Sequence, residues 1–138
     1  MKEKVHTTNY KNTFIQVAED CPVKAAEIPP VKEKKTLANI QYEMISDKPY
    51  RFTSDDVLFH CFAVKNDIPK SELKEAREVF FSKGQACFRS SPLTKRYGFG
   101  VHSNEDEKIA LYPMESKEYK AFSKDKSLKV VKAMKSKR

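Results

Sequence analysis

Hydrophobic side chains recur every three or four residues in the first half of the chain, a spacing that predicts amphipathic helices. The clearest series begins after Thr36 and ends before Pro49, a residue that stops a helix. Its members on one face are Leu37, Ile40, Gln41, Met44 and Ile45. The next run, 57–64, is apolar on every side, so its period does not separate a helix from a buried strand. The hydroxyls and carboxylates of residues 53–56 are typical of a helix N-terminus and favour a helix there.

A third helix is predicted from Pro69 and Ser71 towards Gly84, a residue suited to a left-handed C-terminal cap. The pattern then changes to the alternation that is typical of strands. Strands are predicted at 13–18, at 85–89, and in the two arms of a hairpin at 97–103 and 108–114. Ser116 and Ser127 are each placed to cap a further short helix.

This order of elements predicts one α+β domain over residues 1–138, with an antiparallel sheet of three or four strands and helices packed on one face. Residues 1–12 are polar and are expected to be loose. The segment 22–35 holds three prolines and a lysine cluster, and it is expected to connect elements across the surface. A basic helix is predicted at 126–138.

Chain length and cysteine usage limit the kinds of protein that this sequence can encode. The chain has 138 residues, which suits a single core without disulfide or metal staples. No apolar run approaches the roughly 18 residues of a membrane-spanning helix, and no signal peptide is visible. The three cysteines are widely spaced and odd in number, which indicates reduced thiols and a cytoplasmic protein. No spacing typical of a zinc site is present, so no metal or cofactor is expected.

The net charge of +8 is concentrated at one end of the chain. Residues 117–138 contain nine basic and two acidic side chains, while the first 116 residues are nearly neutral. Lys129, Lys132 and Lys135 would line one face of the predicted terminal helix, where they could contact nucleic-acid phosphates or anionic lipid. The alternative is a helix docked on the core whose lysines are only solvated.

The three glycines are the sharpest local signal, because all of them lie between positions 84 and 100. Gly98 and Gly100 would project towards one face of a strand, together with His102, and leave that face bare. Upstream lie two hydroxyls and two cations, which could bind a phosphate or a carboxylate. The candidate ligand-binding residues are Ser90, Ser91, Lys95, Arg96, Gly98, Gly100 and His102. The alternative is that a helix or an aromatic ring packs on the bare face and that the Ser-Ser-Pro segment is a turn.

Cysteine–histidine chemistry is a further possibility. Cys61 or Cys87 could act as a nucleophile if the fold brings His60 or His102 within hydrogen-bond distance. His60 and Cys61 are adjacent, so on a helix they point about 100° apart. Because Cys61 lies in the most apolar stretch of the chain, core packing is its favoured role. Catalysis is therefore not the preferred interpretation.

Four segments, 38–43, 53–59, 80–85 and 90–103, resemble a bacterial family of small uncharacterised proteins, the domain of unknown function 6157. The most specific part is the stretch Ser-Pro-Leu-Thr-Lys-Arg-Tyr-Gly within 90–103. The resemblance implies a free-standing cytoplasmic bacterial protein and brings no activity, cofactor or catalytic residue with it.

The leading hypothesis from the residues is therefore a non-catalytic domain that binds a small anionic ligand or partner around residues 90–102. Nucleic-acid association through the basic C-terminus is the second hypothesis, and an enzyme that uses Cys87 or His102 is the third. No membrane partner is expected.

Overall fold

The computed structural model describes residues 6–136. Its strands are β1 (Thr13–Gln16), β2 (Phe99–Ser103), β3 (Ile109–Pro113) and β4 (Lys129–Lys132). Its helices are α1 (Leu37–Asp47), α2 (Ser54–Lys65), α3 (Leu73–Phe80), α4 (Pro92–Lys95) and α5 (Lys117–Lys124). Short 3₁₀ turns cover Lys70–Glu72 and Phe88–Ser90. In the part of the chain that is described, no helix is long and apolar enough to cross a membrane.

The first two helices begin at the threonines that the sequence indicates. The Thr36 hydroxyl accepts from the Asn39 backbone N–H at 3.3 Å, and the Asn39 side chain accepts in return from the Thr36 N–H at 2.9 Å. Thr53 and Asp56 make the same reciprocal pair, at 3.1 and 3.0 Å. Each capping box therefore satisfies two backbone amides at its helix start, and both predicted helices are confirmed.

The four strands form one sheet in the order β3-β2-β1-β4. Strands β2 and β3 form the predicted antiparallel hairpin, in which Val101 pairs with Leu111. Strand β1 pairs with β2 antiparallel and with β4 parallel. The α+β class is confirmed, whereas the prediction of a purely antiparallel sheet is wrong at the β1–β4 pair. That parallel pairing is possible because α5 lies in the connection from β3 to β4.

Helices cover both faces of the sheet, so the prediction that they lie on one face is wrong. On one face, Ile15, Val101 and Ile109 pack with side chains of α1 and α2 in the main core. On the other face, Phe14 stacks with Tyr119 and Phe122 of α5 at ring-centroid distances of 5.0 and 5.3 Å. Side chains alternate across a strand, and here both sets are apolar, so each face requires a covering helix.

The C-terminal segment is an edge strand, so the prediction of a basic helix at 126–138 is wrong. Val130 and Val131 are β-branched, and they lie opposite Phe14 and Ile15 in the sheet. The Lys129 N–H donates to the Asn12 carbonyl at 2.9 Å. The spacing of apolar residues in this segment also allows a helix. The strand forms instead because it gains hydrogen bonds to the otherwise unpaired edge of β1. Exposed lysines on such an edge discourage pairing with other chains. Residues 137 and 138 lie outside the described residues.

Two further predictions fail in the segments that surround the core. The strand predicted at 85–89 is a loop and a 3₁₀ turn, because the chain must turn there into α4, which Ser91 caps ahead of Pro92. Helix α3 ends at Phe80, so Gly84 is not its cap.

The N-terminal segment is also not loose where it is described. Buried Asp55 accepts from the Thr7 hydroxyl, the Thr8 hydroxyl and the Thr8 N–H, each at 2.7 Å. Residues 1–5 lie outside the described residues, and residues 22–35 contain neither helix nor strand.

Candidate functional site

The face that carries Gly100 is closed by aromatic rings. A Cβ atom at Gly100 would lie 2.6 Å from Phe14 Cζ and 2.7 Å from Tyr119 Cε2, closer than any real contact. Gly98 has a φ of +80°, which favours glycine, and Met114 and Val23 enclose it. The close-packing alternative is therefore confirmed, and the expectation that a ligand approaches the backbone across this face is wrong.

The two serines of the predicted site have structural roles. Buried Ser91 accepts from the Leu93 N–H at 3.1 Å and donates its hydroxyl to the Gln41 side chain of α1. The Ser90 hydroxyl donates to Met134 Sδ at 3.2 Å. Lys95 ends α4 half-buried, and Arg96 follows it, exposed. Both serine hydroxyls are therefore engaged within the chain, and anion binding by Lys95 and Arg96 stays a prediction.

His102 lies in an aromatic cluster under α5. Its Nδ1 atom is 2.7 Å from the Tyr50 hydroxyl, which is 2.8 Å from the Tyr112 hydroxyl. The Phe122 ring stacks on the imidazole at 4.2 Å. Burial lowers the pKa of His102 below its ordinary value, and burial together with the Tyr112 hydrogen bond raises the pKa of Tyr50. These contacts fix the orientation of the imidazole.

The two candidate nucleophiles, Cys61 and Cys87, lie away from this cluster. Cys61 is 2% exposed in the main core, and burial raises the pKa of its thiol to about 11, which keeps it protonated at neutral pH. Cys87 Sγ is 3.4 Å from the Tyr10 hydroxyl, and Tyr10 packs against the core on the face opposite His102. The favoured packing role of Cys61 is confirmed. Within residues 6–136, no three metal-ligating side chains converge.

Two of the three C-terminal lysines are engaged within the molecule. Lys132 and Lys135 contact the two carboxylate oxygens of Glu19 at 3.0 and 3.2 Å, while Lys129 is exposed on the edge strand. The lysine hydrogen bonds hold the pKa of Glu19 below its ordinary value. Nucleic-acid association through these residues stays a prediction. Because Glu19 pairs with two of the lysines, they offer less positive charge to phosphates than the sequence suggests.

One open part of the surface is a groove along α2, between α1 and α3. Phe59 and Ala63 face α3 in a small apolar cluster. His60 and Val64 are each one residue further along, about 100° around the helix, and therefore face the space towards α1. Two adjoining cavities of about 360 and 490 Å³ share Met44, Phe52 and His60, so they form one continuous groove, here called the α2 groove.

The larger cavity is lined by apolar side chains on one part of its wall and by basic side chains on another. Five apolar side chains line it: Met44, Phe52, Phe59, Ala63 and Leu73. The other lining residues are Asp56, His60, Lys74 and Arg77. His60 and Lys74 are exposed, so both reach solvent and would reach a bound molecule. This is the usual composition of a ligand site, in which apolar walls surround a few polar groups.

Arg77 is fixed in place at one end of this cavity. Its guanidinium donates to Asp56 at 2.9 Å and lies over the Phe59 and Phe81 rings at 5.9 and 5.6 Å. Burial opposes ionisation of Asp56, but the Thr53 N–H and the Arg77 guanidinium outweigh it and hold the pKa of this carboxyl below its ordinary value. Because Asp56 neutralises Arg77, the cation left over for a ligand is Lys74.

The residues of the α2 groove were not predicted as a site from the sequence. The available signal was His60, a polar residue within an apolar run that a buried helix has no reason to contain. Lys74 and Arg77 are three apart, as on the exposed face of any amphipathic helix, so their sequence pattern does not distinguish them. Only the position of α3 against α2 brings them beside His60.

The fold and the groove together define a small α+β domain with a mixed four-stranded sheet between two helical layers and an open apolar groove on the larger layer. The chain belongs to a family of unknown function, DUF6157, whose model matches residues 5–138. The family suggested by the resemblance is thereby confirmed. No curated protein and no solved structure matches the chain.

Proposed function

We propose that this protein is a non-catalytic binding domain and that the α2 groove binds a small organic anion with an apolar body. The observation that carries the proposal is the cavity of about 490 Å³, in which five apolar side chains face His60 and Lys74. Ligand pockets usually enclose roughly 300–1,000 Å³, so the cavity suits a molecule with one or two rings or a short alkyl chain.

The two kinds of wall have different roles. Burial of the apolar body against Phe52, Phe59 and Leu73 supplies most of the affinity, because each Å² removed from water contributes about 25 cal/mol. Lys74 and His60 fix the orientation by contacting a carboxylate or sulfonate at the solvent side. An anion is preferred over a cation because Asp56 is already held by Arg77 and the Thr53 N–H.

Binding is favoured over catalysis by the groups present. Of residues 6–136, those that line the larger cavity include no hydroxyl and no thiol, so the cavity offers no oxygen or sulfur nucleophile of this kind. Asp56 is the cavity's carboxylate, and its hydrogen bonds to a helix cap and a guanidinium make it a poor general base.

A pair of fluorescent dyes tests the proposal. Anilinonaphthalene sulfonate carries the apolar body and the anionic group, and phenylnaphthylamine has nearly the same rings without the charge. We expect saturable binding of the sulfonate at one site, with weaker binding of the neutral dye. Lys74→Ala should weaken sulfonate binding about fivefold, as expected for one partly exposed charge contact, and should leave the neutral dye unaffected.

The matched control replaces the cations that the sequence indicates. Lys95→Ala with Arg96→Ala should change sulfonate affinity by less than about twofold. His60→Trp, which adds a large side chain at an exposed position of the groove, should block both dyes. Loss of binding in the Lys95 and Arg96 variant, with Lys74→Ala unchanged, would instead place the anion site in the segment 90–102. Absence of saturable sulfonate binding would contradict the proposed function.

A further inference from the structure

The opposite side of α3 carries a second surface with different chemistry. Phe62 at the end of α2 is 38% exposed, and Val79 on α3 is 62% exposed. Between them lie half-buried Ala76 and Phe80, and the rings of Phe62 and Phe80 are 4.8 Å apart. Together with Ile68 they form a groove of about 390 Å³, here called the α3 groove. Contiguous exposed apolar surface with a polar rim is typical of protein interaction sites.

The rim of the α3 groove is acidic, in a chain whose net charge is +8. Glu72 and Glu75, three residues apart, line the groove. Neither takes part in the ion pairs found within residues 6–136. Like charges at this spacing on a helix repel each other. The helix dipole favours acidic residues in the first turn, but it does not account for Phe62 and Val79 exposed beside them.

The acidic rim also indicates which kind of partner would bind in the α3 groove. A two-fold dimer through this surface would place the same patch on both sides, so the glutamates of one copy would face those of the other. A helix that carries lysine or arginine along the borders of an apolar stripe is complementary to both the apolar groove and its acidic rim. Its apolar residues at positions i, i+3 and i+4 would contact Phe62 and Val79, and its cations would pair with Glu72 and Glu75.

We propose that the α3 groove docks a cationic amphipathic helix of a partner protein. The α3 groove shares no lining residue with the α2 groove, which Lys74 and Arg77 line, so variants of one groove leave the residues of the other unchanged. The protein would then present a ligand site and a partner site on the two sides of one helix.

Two designed peptides provide the test on the full chain. Each has about 14 residues, roughly four helical turns, with leucines along one stripe. One peptide carries lysines beside the stripe, and the other carries glutamates at the same positions. Fluorescence anisotropy of a labelled peptide measures the affinity. We expect the lysine peptide to bind at least about tenfold more tightly than the glutamate peptide, because the glutamate peptide meets like charges.

Variants locate the binding on the molecule. Glu72→Gln with Glu75→Gln should weaken the lysine peptide about fivefold, and the effect should disappear in about 0.5 M NaCl. Val79→Ser should weaken it about tenfold at any salt concentration, because it removes apolar contact and leaves the charges in place. The matched control is Glu27→Gln with Glu33→Gln, two exposed glutamates in the connecting segment, which should have no effect.

Several outcomes would overturn the proposal. One is equal affinity for the two peptides. Another is that the Glu27 and Glu33 control loses as much affinity for the lysine peptide as the Glu72 and Glu75 variant. The third is that Val79→Ser loses no affinity. A concentration-dependent dimer that Val79→Ser abolishes would show that a second copy occupies the groove. Failure here leaves dye binding at Lys74 unaffected, so the two proposals are tested separately.

Discussion

The region under α5 and the α2 groove contain similar residues, yet one is filled and the other is open. Each has a histidine among aromatic side chains, His102 beside Tyr50 and Phe122 in the first and His60 beside Phe52 and Phe59 in the second. Under α5 the chain has a glycine, and aromatic rings occupy the space that its missing side chain leaves. Along α2, by contrast, side chains of α1, α2 and α3 line an open groove. Small residues in a strand therefore indicate close packing here, whereas the surface proposed for binding lies between two helices that flank a third.

The largest expected effect comes from filling the closed region. Gly100→Ala should lower the free energy of unfolding by about 2–3 kcal/mol, because the added methyl would overlap the rings of Phe14 and Tyr119. Urea unfolding of both proteins measures the change. Gly84→Ala is the matched control, because its added methyl would be 3.8 Å from the nearest side chain, and it should be nearly neutral. A stability unchanged by Gly100→Ala would mean that this face has room for a ligand.

The next effect concerns the ion pair at the end of the α2 groove. Asp56→Asn should lower the free energy of unfolding at neutral pH by about 0.5–1 kcal/mol, a small value because about a third of the side chain is exposed. The pKa of Asp56 is lowered in the folded protein, so its contribution is present above the ordinary carboxyl pKa and is lost as the pH falls through the lowered value.

The pH dependence separates this contribution from a general loss of stability. The difference between the wild type and Asp56→Asn should shrink steadily as thermal unfolding is repeated from about pH 6 to about pH 3. Asp106→Asn, at the exposed tip of the β2–β3 hairpin, is the control and should show no such trend. A difference that stays constant with pH would show that Asp56 does not act through its charge.

The smallest expected effect concerns the lysines in β4 and just after it. Replacing Lys129, Lys132 and Lys135 by Gln should change the affinity for single-stranded DNA by no more than about twofold at physiological salt, because Lys132 and Lys135 already pair with Glu19. Filter binding at several salt concentrations measures this. A steep salt dependence that the triple variant removes would establish the nucleic-acid function and make the basic edge the principal binding surface.

The sequence predicts best the elements whose signals are local. The capping threonines Thr36 and Thr53 and the alternation within 97–114 depend on neighbours a few residues away, and the structure has those elements as expected. The C-terminal strand depends on β1, more than a hundred residues earlier, whose open side offers hydrogen bonds that no local pattern reveals. The second helical layer follows from the same long-range pairing, because α5 must cover Phe14.

The candidate site shows the same division. Glycines and cations close together in sequence suggest a ligand near residues 90–102, but the space beside Gly100 is decided by Tyr119, which follows it by nineteen positions. The α2 groove needs residues from α1, α2 and α3 at once, and its walls meet only in the folded chain. His60 is the residue that could have drawn attention to it, as a polar interruption of an apolar run.

The account depends most on where an amphipathic anion binds, and an NMR titration with anilinonaphthalene sulfonate locates it directly. We expect intermolecular contacts between the dye protons and the methyl groups of Met44, Ala63 and Leu73, with amide shifts centred on His60 and Lys74. Contacts and shifts centred on Lys95, Arg96 and the Gly100 strand would contradict the account and would place the anion site in the segment 90–102.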